Sequence, residues 1–451
     1  MERLIVVSGD SHATPPPELW PEYLEAKYHY LLPEAREDNE RYTQLLGMFA
    51  DFSPETLEVI DAQGVWESGG YLGAWDPERR LAEMDREGVA AELVYGGDPR
   101  AILPLSPLYH RYPQDVVAAG TRAYDRWAAD IFGAAMDRIL FVGDPATAPD
   151  MEGMLAELEW IAHHGFAGTY VPGVGARADL PALYDGFFDP FWSACEDFGL
   201  PIVIHAGYGT EQCEFMDKVD ALRVKMEAEG RDDLLSEIIN NAEGFFSLDL
   251  RPRRAMWQLM LGGVFDRHPR LRLVMTEVRA DWLPATLGHL DAAYEKSRAE
   301  LPSRRRPSEY WHEHCLTSLS FVHKSEVAMR HEIGLETITF GRDYPHAEGT
   351  WPNTADWLTD AFAGVPDDEL RLMLGENAIR VLGLDRDALA AVAERIGPTI
   401  ADITGRAPDL DPRLIANWDA RGGYLKPAEQ IDTGAIDAFL RQDLAHVAGS
   451  G

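Results

Sequence analysis

The sequence predicts an α/β protein, a (β/α)8 TIM barrel with long insertions after two strands and a helical extension at its C-terminus. Three observations lead to this prediction. Short apolar runs recur along the chain, helical periodicity fills most of the segments between them, and two connections are longer than a plain barrel needs. Strands that alternate with helices in this way form parallel sheets, and eight of them can close into a barrel.

Eight runs rich in Val, Ile, Leu and Phe are predicted to be strands. They are continuous rather than alternating, which is typical of parallel strands that are buried on both faces. They occupy residues 3–10, 90–97, 138–145, 167–173, 201–207, 271–277, 315–321 and 337–343. Between them, segments such as residues 151–165 place apolar side chains on one face of a helix. The predicted barrel domain spans residues 1–385.

Two insertions interrupt the barrel pattern, at about residues 20–80 and 208–250. Both follow predicted strands, so we expect them at the C-terminal mouth of the barrel, where loops build active sites. Insertions of this size indicate a bulky substrate that must be enclosed, although contacts between subunits would explain them equally well. Residues 386–451 are predicted to be a C-terminal extension that packs on the barrel or on a second copy in a homodimer.

Charge and cysteine content exclude several classes of function. The 41 Lys and Arg residues against 76 Asp and Glu give a net charge of −35, which repels nucleic acids and anionic membrane surfaces. No apolar run approaches the roughly 20 residues that span a bilayer. The three cysteines show no CxxC spacing, so neither a disulfide framework nor a cysteine zinc site is predicted. These features favour a cytoplasmic enzyme with a small-molecule substrate.

Polar side chains lie at or just beyond the C-terminal ends of four predicted strands. They are Asp10 and His12 at the first strand, His205 at the fifth, Glu277 at the sixth, and Asp343 and His346 at the eighth. The carboxyl ends of all barrel strands open onto one cavity, so these groups should converge. A single histidine at a strand end is more often structural, but the whole set predicts a metal centre. Imidazole and carboxylate ligands suit Zn, Fe or Mn.

Several motifs give the chain a family resemblance over roughly residues 1–385. They are "GDSH", "IHAG", "HPRLRLVMTEVRADWLP", "TFGRDYPHAEGTWP" and "GENAIRVLGL", in this order. They resemble the amidohydrolase-related TIM-barrel metalloenzymes, a family that includes aromatic-acid decarboxylases and lactone hydrolases. The resemblance implies that Asp10, His12, His205 and Asp343 are metal ligands.

Glu277 departs from the pattern of the decarboxylases, which have a histidine at the end of strand six. The chain in this respect is similar to a branch whose known member is a non-heme diiron monooxygenase of platensimycin and platencin biosynthesis. That resemblance implies two iron ions held by the six residues above, with Glu348 or His323 as further ligands. Glu277, Asp343 and His346 would be catalytic. The enzyme would hydroxylate a bulky apolar substrate of secondary metabolism, a terpenoid acid or a CoA-linked compound, with electrons from an external donor.

Two other hypotheses remain open. In the first, one Zn or Mn ion supports hydrolysis or decarboxylation, Asp343 acts as general base, and Glu277 replaces the usual histidine. In the second, the barrel only binds a ligand, which is disfavoured because buried carboxylates at several strand ends are costly without a cation. The sequence favours the monooxygenase slightly, because that hypothesis gives Glu277 and His346 a role.

Overall fold

The structure is a computed structural model that describes most of the chain. The described residues are 3–46, 54–97, 101–173, 179–209, 212–231, 251–319, 322–346, 349–405, 410–422, 433–445 and 447.

Parallel strands form the centre of the fold. They are β1 (Val7–Ser8), β2 (His12–Ala13), β3 (Ala91–Gly96), β4 (Ile139–Gly143), β5 (Gly168–Tyr170), β6 (Ile202–Ile204), β7 (Leu273–Thr276), β8 (Cys315–Ser318) and β9 (Ile338–Thr339). Each strand from β3 onward pairs with the next one in the chain, and all of these pairs are parallel. Both β1 and β2 pair with β3, so they are two pieces of the first barrel strand.

The barrel closes between its first and last strands through single hydrogen bonds. The Gly9 amide donates to the Phe340 carbonyl at 2.7 Å, and the His12 amide donates to the Tyr344 carbonyl at 2.6 Å. Ser11 and Tyr344 form a parallel bridge at the same seam. With β1 and β2 counted as one strand, the sheet has eight strand positions, and the predicted (β/α)8 barrel is confirmed. Every predicted strand contains an observed one.

Helices surround this sheet and fill the insertions. Those before β6 are Trp20–Tyr23, Leu32–Leu46, Pro54–Ile60, Pro77–Glu87, Gln114–Phe132, Met151–His163 and Asp189–Phe198. From β6 to β9 they are Gln212–Ala228, Arg251–Leu261, Val264–Arg267, Leu283–Ser297, Pro307–His314, Lys324–Ala328 and Arg330–Ile333. The remaining helices are Thr354–Ala361, Asp367–Arg371, Asn377–Leu382, Arg386–Ile396, Ile400–Thr404, Pro412–Gly422 and Thr433–Asp443.

The helix Pro77–Glu87 shows how local sequence sets these bounds. The Asp76 side chain accepts a hydrogen bond from the Arg79 amide, which caps the helix N-terminus, and Pro77 occupies the first turn, where a missing N–H costs nothing. Gly88 ends the helix in the left-handed conformation, with φ of 72°. This helix leads into β3 and carries Arg80, a fully buried side chain close to the site described below.

Both insertions contain helices, although parts of them lie outside the described residues. The first includes the helix Leu32–Leu46, and the second includes Gln212–Ala228, with residues 232–250 not described. In the extension, Leu414, Trp418 and Ile436 belong to the same buried cluster as the barrel helices. Across the described residues, no helix combines the length and apolarity that a membrane crossing requires.

Candidate metal centre

The six predicted site residues all lie at the C-terminal mouth of the barrel. Asp10 occupies the break between β1 and β2, and His12 opens β2. His205 directly follows β6, and Glu277 directly follows β7. Asp343 and His346 lie in the segment after β9. The break after Ser8 allows Asp10 and His12 to face the same cavity, although they do not sit on one uninterrupted strand.

Asp10 lies at the centre of this group. Its Oδ1 atom is 3.6 Å from Nε2 of His12 and 3.5 Å from Nε2 of His205. On the other side, Nε2 of His12 is 3.4 Å from Oδ1 of Asp343. Two ligands that each lie about 2.1 Å from one metal ion are roughly 3.0 to 3.4 Å apart in octahedral or tetrahedral arrangements. These three separations are therefore close to those of ligands that share one ion.

The hydrogen bonding of Asp10 and His12 also fits a metal. Both carboxylate oxygens of Asp10 and both ring nitrogens of His12 are buried, and within the described part of the chain none makes a hydrogen bond of normal geometry. Leaving buried polar atoms without partners is costly, whereas a divalent cation would satisfy them. Burial, together with the neighbouring His346 and His205, holds the pKa of His12 well below its usual value. A neutral imidazole is the form that binds metals.

His346 extends the cluster on the side of Asp343. Its ring stacks on that of His12, with 4.0 Å between centroids and 14° between planes. Its Nδ1 atom is 3.1 Å from Oδ1 of Asp343. Two groups of three residues thus have the spacing of metal ligands, Asp10 with His12 and His205, and His12 with Asp343 and His346. They share His12, so the described cluster is one continuous site.

Glu277 lies beside this site but in neither group of three. Its Oε2 atom is 3.5 Å from Nε2 of His205, and its side chain is 12% exposed. Burial raises the pKa of Glu277 to about 8. The nearby Asp343 and Asp10 carboxylates also raise this pKa, whereas His205 lowers it. Burial lowers the pKa of His205, but the Asp10 and Glu277 carboxylates act against burial, and the pKa of His205 lies above its usual value.

Two of these carboxylates occupy strained backbone. Glu277 has φ of 57° and Asp343 has φ of 54°. Residues other than glycine rarely adopt this left-handed backbone conformation, and each one that does costs about 1–3 kcal/mol of stability. Strain of this kind persists only where the surrounding structure enforces it, and it is often found at functional sites.

The sequence suggested two further residues, Glu348 and His323, as ligands of a second metal. Glu348 lies outside the described residues. His323 precedes the helix Lys324–Ala328 and packs edge to face against Trp357, with ring centroids 5.5 Å apart. Burial and the nearby Arg279 lower the pKa of His323 to about 3. Among the described residues it belongs to neither ligand group.

Sequence reasoning missed the contribution of β3. Tyr95 is opposite His12 in the β2–β3 register, and its ring centroid is 4.8 Å from that of His205. Its hydroxyl pairs with Oγ1 of Thr276 at 2.7 Å. Three residues earlier on the same strand, the fully buried Glu92 binds two arginines. The available signal was a carboxylate inside the otherwise apolar run "AAELVYGG".

Comparisons with known proteins place this geometry in a family. The Amidohydrolase family model matches residues 10–384. The gamma-resorcylate decarboxylase of Rhizobium sp. (strain MTP-10005) is 27% identical over 373 residues, which cover 79% of this chain and 97% of that protein.

Two solved structures show the same fold. The crystal structure of 5-carboxyvanillate decarboxylase from Sphingomonas paucimobilis has a TM-score of 0.55 and 20% identity, covering 85% of this chain and 100% of that one. Dihydroxybenzoic acid decarboxylase from Polaromonas sp. JS666, solved with bound manganese, has a TM-score of 0.52 and 17% identity, covering 86% and 98%.

These relatives correct one prediction from the sequence. The preference for an oxidoreductase over a hydrolase or decarboxylase is wrong, because the similar proteins are decarboxylases. No comparison points to the branch of the diiron monooxygenase or to iron. The glutamate at position 277 led to that preference, but a carboxylate beside a metal site is compatible with several reactions. The match over most of the chain shows that this protein belongs to the Amidohydrolase family.

Proposed function

We propose that this protein is a metal-dependent decarboxylase of a hydroxylated aromatic acid. The observation that carries the proposal is the convergence of Asp10, His12, His205 and Asp343 on one site with ligand spacing. The curated relative at 27% identity, a gamma-resorcylate decarboxylase, supports the reaction class.

One divalent ion, Mn²⁺ or Zn²⁺, would be held by those four residues. Oxygen and nitrogen ligands without thiolate suit either ion, and the related decarboxylase from Polaromonas contains manganese. When bound, the ion acts as a Lewis acid that polarises the oxygen atoms of the substrate. Decarboxylation needs no external electron donor, so the donor predicted from the sequence is not required.

The residues of the chain must also manage one proton. Loss of CO2 from an aromatic carboxylate breaks a carbon–carbon bond, and the ring carbon must then receive a proton in its place. Glu277 is suited to deliver it, because its partly exposed carboxyl group lies at the edge of the site and outside the ligand groups. A proton donor must lie within hydrogen-bond reach of the reacting atom.

Asp343 and His346 form a close carboxylate–imidazole pair at the site. The 3.1 Å contact between Oδ1 of Asp343 and Nδ1 of His346 resembles the carboxylate–imidazole pairs that orient a histidine. The stacking of His346 on His12 fixes the plane of its ring. In the proposed function His346 orients the substrate or Asp343 and takes no part in oxygenation.

The test is decarboxylation by metal-stripped protein reloaded with Mn²⁺ or Zn²⁺. Gamma-resorcylate and 5-carboxyvanillate are offered as substrates, and CO2 and the ring product are measured. We expect turnover that depends on metal and is lost in His205→Ala. His312→Ala, at a half-exposed histidine paired with Glu336, is the control and should retain turnover. Release of an alcohol or amine from lactones or amides, with no CO2 from any aromatic acid, would contradict the proposal.

A further inference from the structure

A buried charge cluster beneath the metal centre has no role in the reaction proposed above. It consists of Arg80, Glu92 and Arg342, all with fully buried side chains. Oε1 of Glu92 accepts from Nε of Arg80 at 2.5 Å, and Oε2 accepts from Nε of Arg342 at 2.8 Å. Although burial opposes it, the guanidinium groups of Arg342 and Arg80 hold the pKa of Glu92 below its usual range.

This cluster is costly to bury, because two cations share one carboxylate. The ring of Tyr344 provides part of the compensation. The guanidinium carbons of Arg80 and Arg342 lie 5.0 and 4.6 Å from its centroid, the range of cation–π contacts. Removing Glu92 would leave both buried guanidinium groups without their shared carboxylate, so Glu92 ties the two arginines together.

Arg80 connects the cluster to His12. Its Nη1 atom donates to the His12 carbonyl at 2.7 Å and to the Gly73 carbonyl at 3.2 Å. Its Nη2 atom donates to Oγ of Ser11 at 2.9 Å. These bonds fix the two backbone positions that carry the His12 imidazole into the cavity.

Arg342 connects the cluster to the other ligands. It directly precedes Asp343, whose amide donates to the Asp10 carbonyl at 2.9 Å. The Arg342 amide donates to Oγ of Ser8, and that hydroxyl donates to the same Asp10 carbonyl at 2.8 Å. The side chain of Arg342, anchored on Glu92, thus holds the segment in which Asp343 keeps its left-handed backbone.

We propose that Arg80 and Arg342, tied together by Glu92, are positioning residues that set the affinity of the site for its divalent metal ion without touching it. The inference rests on the proposed metal-dependent function. The cluster holds the backbone of His12 and Asp343 so that their donor atoms stay at ligand spacing in the metal-free protein. Residues that orient metal ligands typically change metal affinity by about 10- to 100-fold when they are altered.

The test compares two buried arginines that bind backbone carbonyls and a carboxylate. Arg80→Lys keeps the charge but loses the forked contacts to His12 and Ser11. The control is Arg138→Lys. Arg138 donates to the carbonyls of Ala90 and Val89 and pairs with Asp85, but it precedes β4 and so lies at the opposite end of the barrel.

Metal-stripped wild-type and variant proteins are titrated with Mn²⁺ alone, and thermal unfolding of each metal-free protein is recorded. We expect Arg80→Lys to weaken Mn²⁺ binding by about 10-fold or more, and Arg138→Lys to change it less than about 2-fold, even if both unfold at lower temperature. Ser11→Ala removes the acceptor of Arg80 Nη2 together with the hydrogen bond that Oγ of Ser11 donates to the Leu93 carbonyl. It should weaken Mn²⁺ binding by a smaller factor, and it replaces Arg80→Lys if that variant does not fold.

Three results would overturn the inference. Unchanged Mn²⁺ affinity in Arg80→Lys, or in Ser11→Ala where it replaces Arg80→Lys, would show that the cluster only stabilises the fold. An equal loss in Arg138→Lys would show that affinity follows global stability. If the wild-type protein binds no Mn²⁺ or Zn²⁺, the proposed function and this inference fail together, whereas the first two results leave the proposed function intact.

Discussion

The rings of His12 and His205 meet edge to face, with 5.0 Å between centroids and 88° between planes, and their Nε2 atoms approach the same oxygen of Asp10. One carboxylate oxygen between two imidazole nitrogens is an arrangement that a shared cation stabilises, because otherwise the oxygens of this buried carboxylate have no hydrogen bond among the described residues. The sequence brings these residues together from positions about 190 apart by placing them at strand ends of one barrel.

Replacing Asp10 should therefore weaken metal binding while the fold persists. In Asp10→Asn an amide of the same shape replaces the carboxylate, and we expect Mn²⁺ affinity to fall by about 100-fold, because a neutral oxygen is a poorer ligand for a divalent ion. The measurement is Mn²⁺ titration of metal-stripped protein, with circular dichroism to verify the fold.

Asp125→Asn is the matched control for that measurement. Asp125 is also buried, and its Oδ1 makes no hydrogen bond in the described structure, but it lies on the helix Gln114–Phe132 outside the ligand groups. Its substitution should change Mn²⁺ affinity less than about 2-fold. Equal losses in the two variants would argue against Asp10 as a ligand.

Glu277→Gln should separate chemistry from metal binding. If Glu277 supplies the proton in decarboxylation, removing its acid function should lower kcat by about 10²- to 10⁴-fold. Its position outside both ligand groups predicts that the variant still binds one Mn²⁺ per chain. Turnover and metal content are measured on the same preparation. Loss of the metal together with activity would instead make Glu277 a ligand, as the sequence first suggested.

The fold could be predicted from sequence because the buried strands of a parallel barrel have a recognisable sequence pattern. Strands such as β6 and β7 are buried along their length, so they appear as short apolar runs, and the residues that follow them, His205 and Glu277, are placed at the mouth by topology alone. The same logic located Asp10 and Asp343.

The supporting cluster could not be predicted in this way. The ion pair between Arg342 and Glu92 joins residues 250 positions apart, and nothing in either local sequence specifies the other partner. Glu92 sits inside an apolar strand, where sequence patterns predict only burial. The reaction class could not be predicted either, because Glu277 is compatible with several metal-dependent reactions and no local sequence pattern identifies the substrate.

The C-terminal helix Thr433–Asp443 should contribute strongly to stability through one residue. The buried Asp443 accepts hydrogen bonds from Arg254 and, at 2.8 Å, from Nε1 of Trp257 on the helix Arg251–Leu261. Asp443→Ala leaves these donors without their acceptor and should lower the free energy of unfolding by about 2–4 kcal/mol. Urea unfolding measures the change.

Asp437→Ala on the same helix is the control for that measurement. Asp437 is half exposed and pairs with His289 at 2.7 Å. Exposed pairs of this kind contribute about 0–1 kcal/mol, so this variant should unfold nearly as the wild type does. If Asp443→Ala also unfolds nearly as the wild type does, the helix is stabilised by its apolar face rather than by Asp443.

Asp144, which follows β4, should make stability fall as pH rises toward neutrality. Burial raises the pKa of Asp144 to about 7 from its model-peptide value of 3.8. The folded protein then holds this proton more tightly than the unfolded chain does, so between about pH 4 and pH 7 the unfolded chain has fewer bound protons and the free energy of unfolding decreases with pH. Above about pH 7 the full cost of the buried charge is present.

Asp144→Asn should remove this dependence. The amide oxygen can still accept the hydrogen bond that Oδ1 now takes from the Ala146 amide at 3.1 Å, but it carries no charge. We expect the variant and the wild type to unfold at similar urea concentrations near about pH 4.5, and the variant to be the more stable near about pH 8. A stability difference that stays constant over this range would show that Asp144 is already ionised in the folded protein at the lower pH, since only a proton held more tightly in the folded state produces the slope.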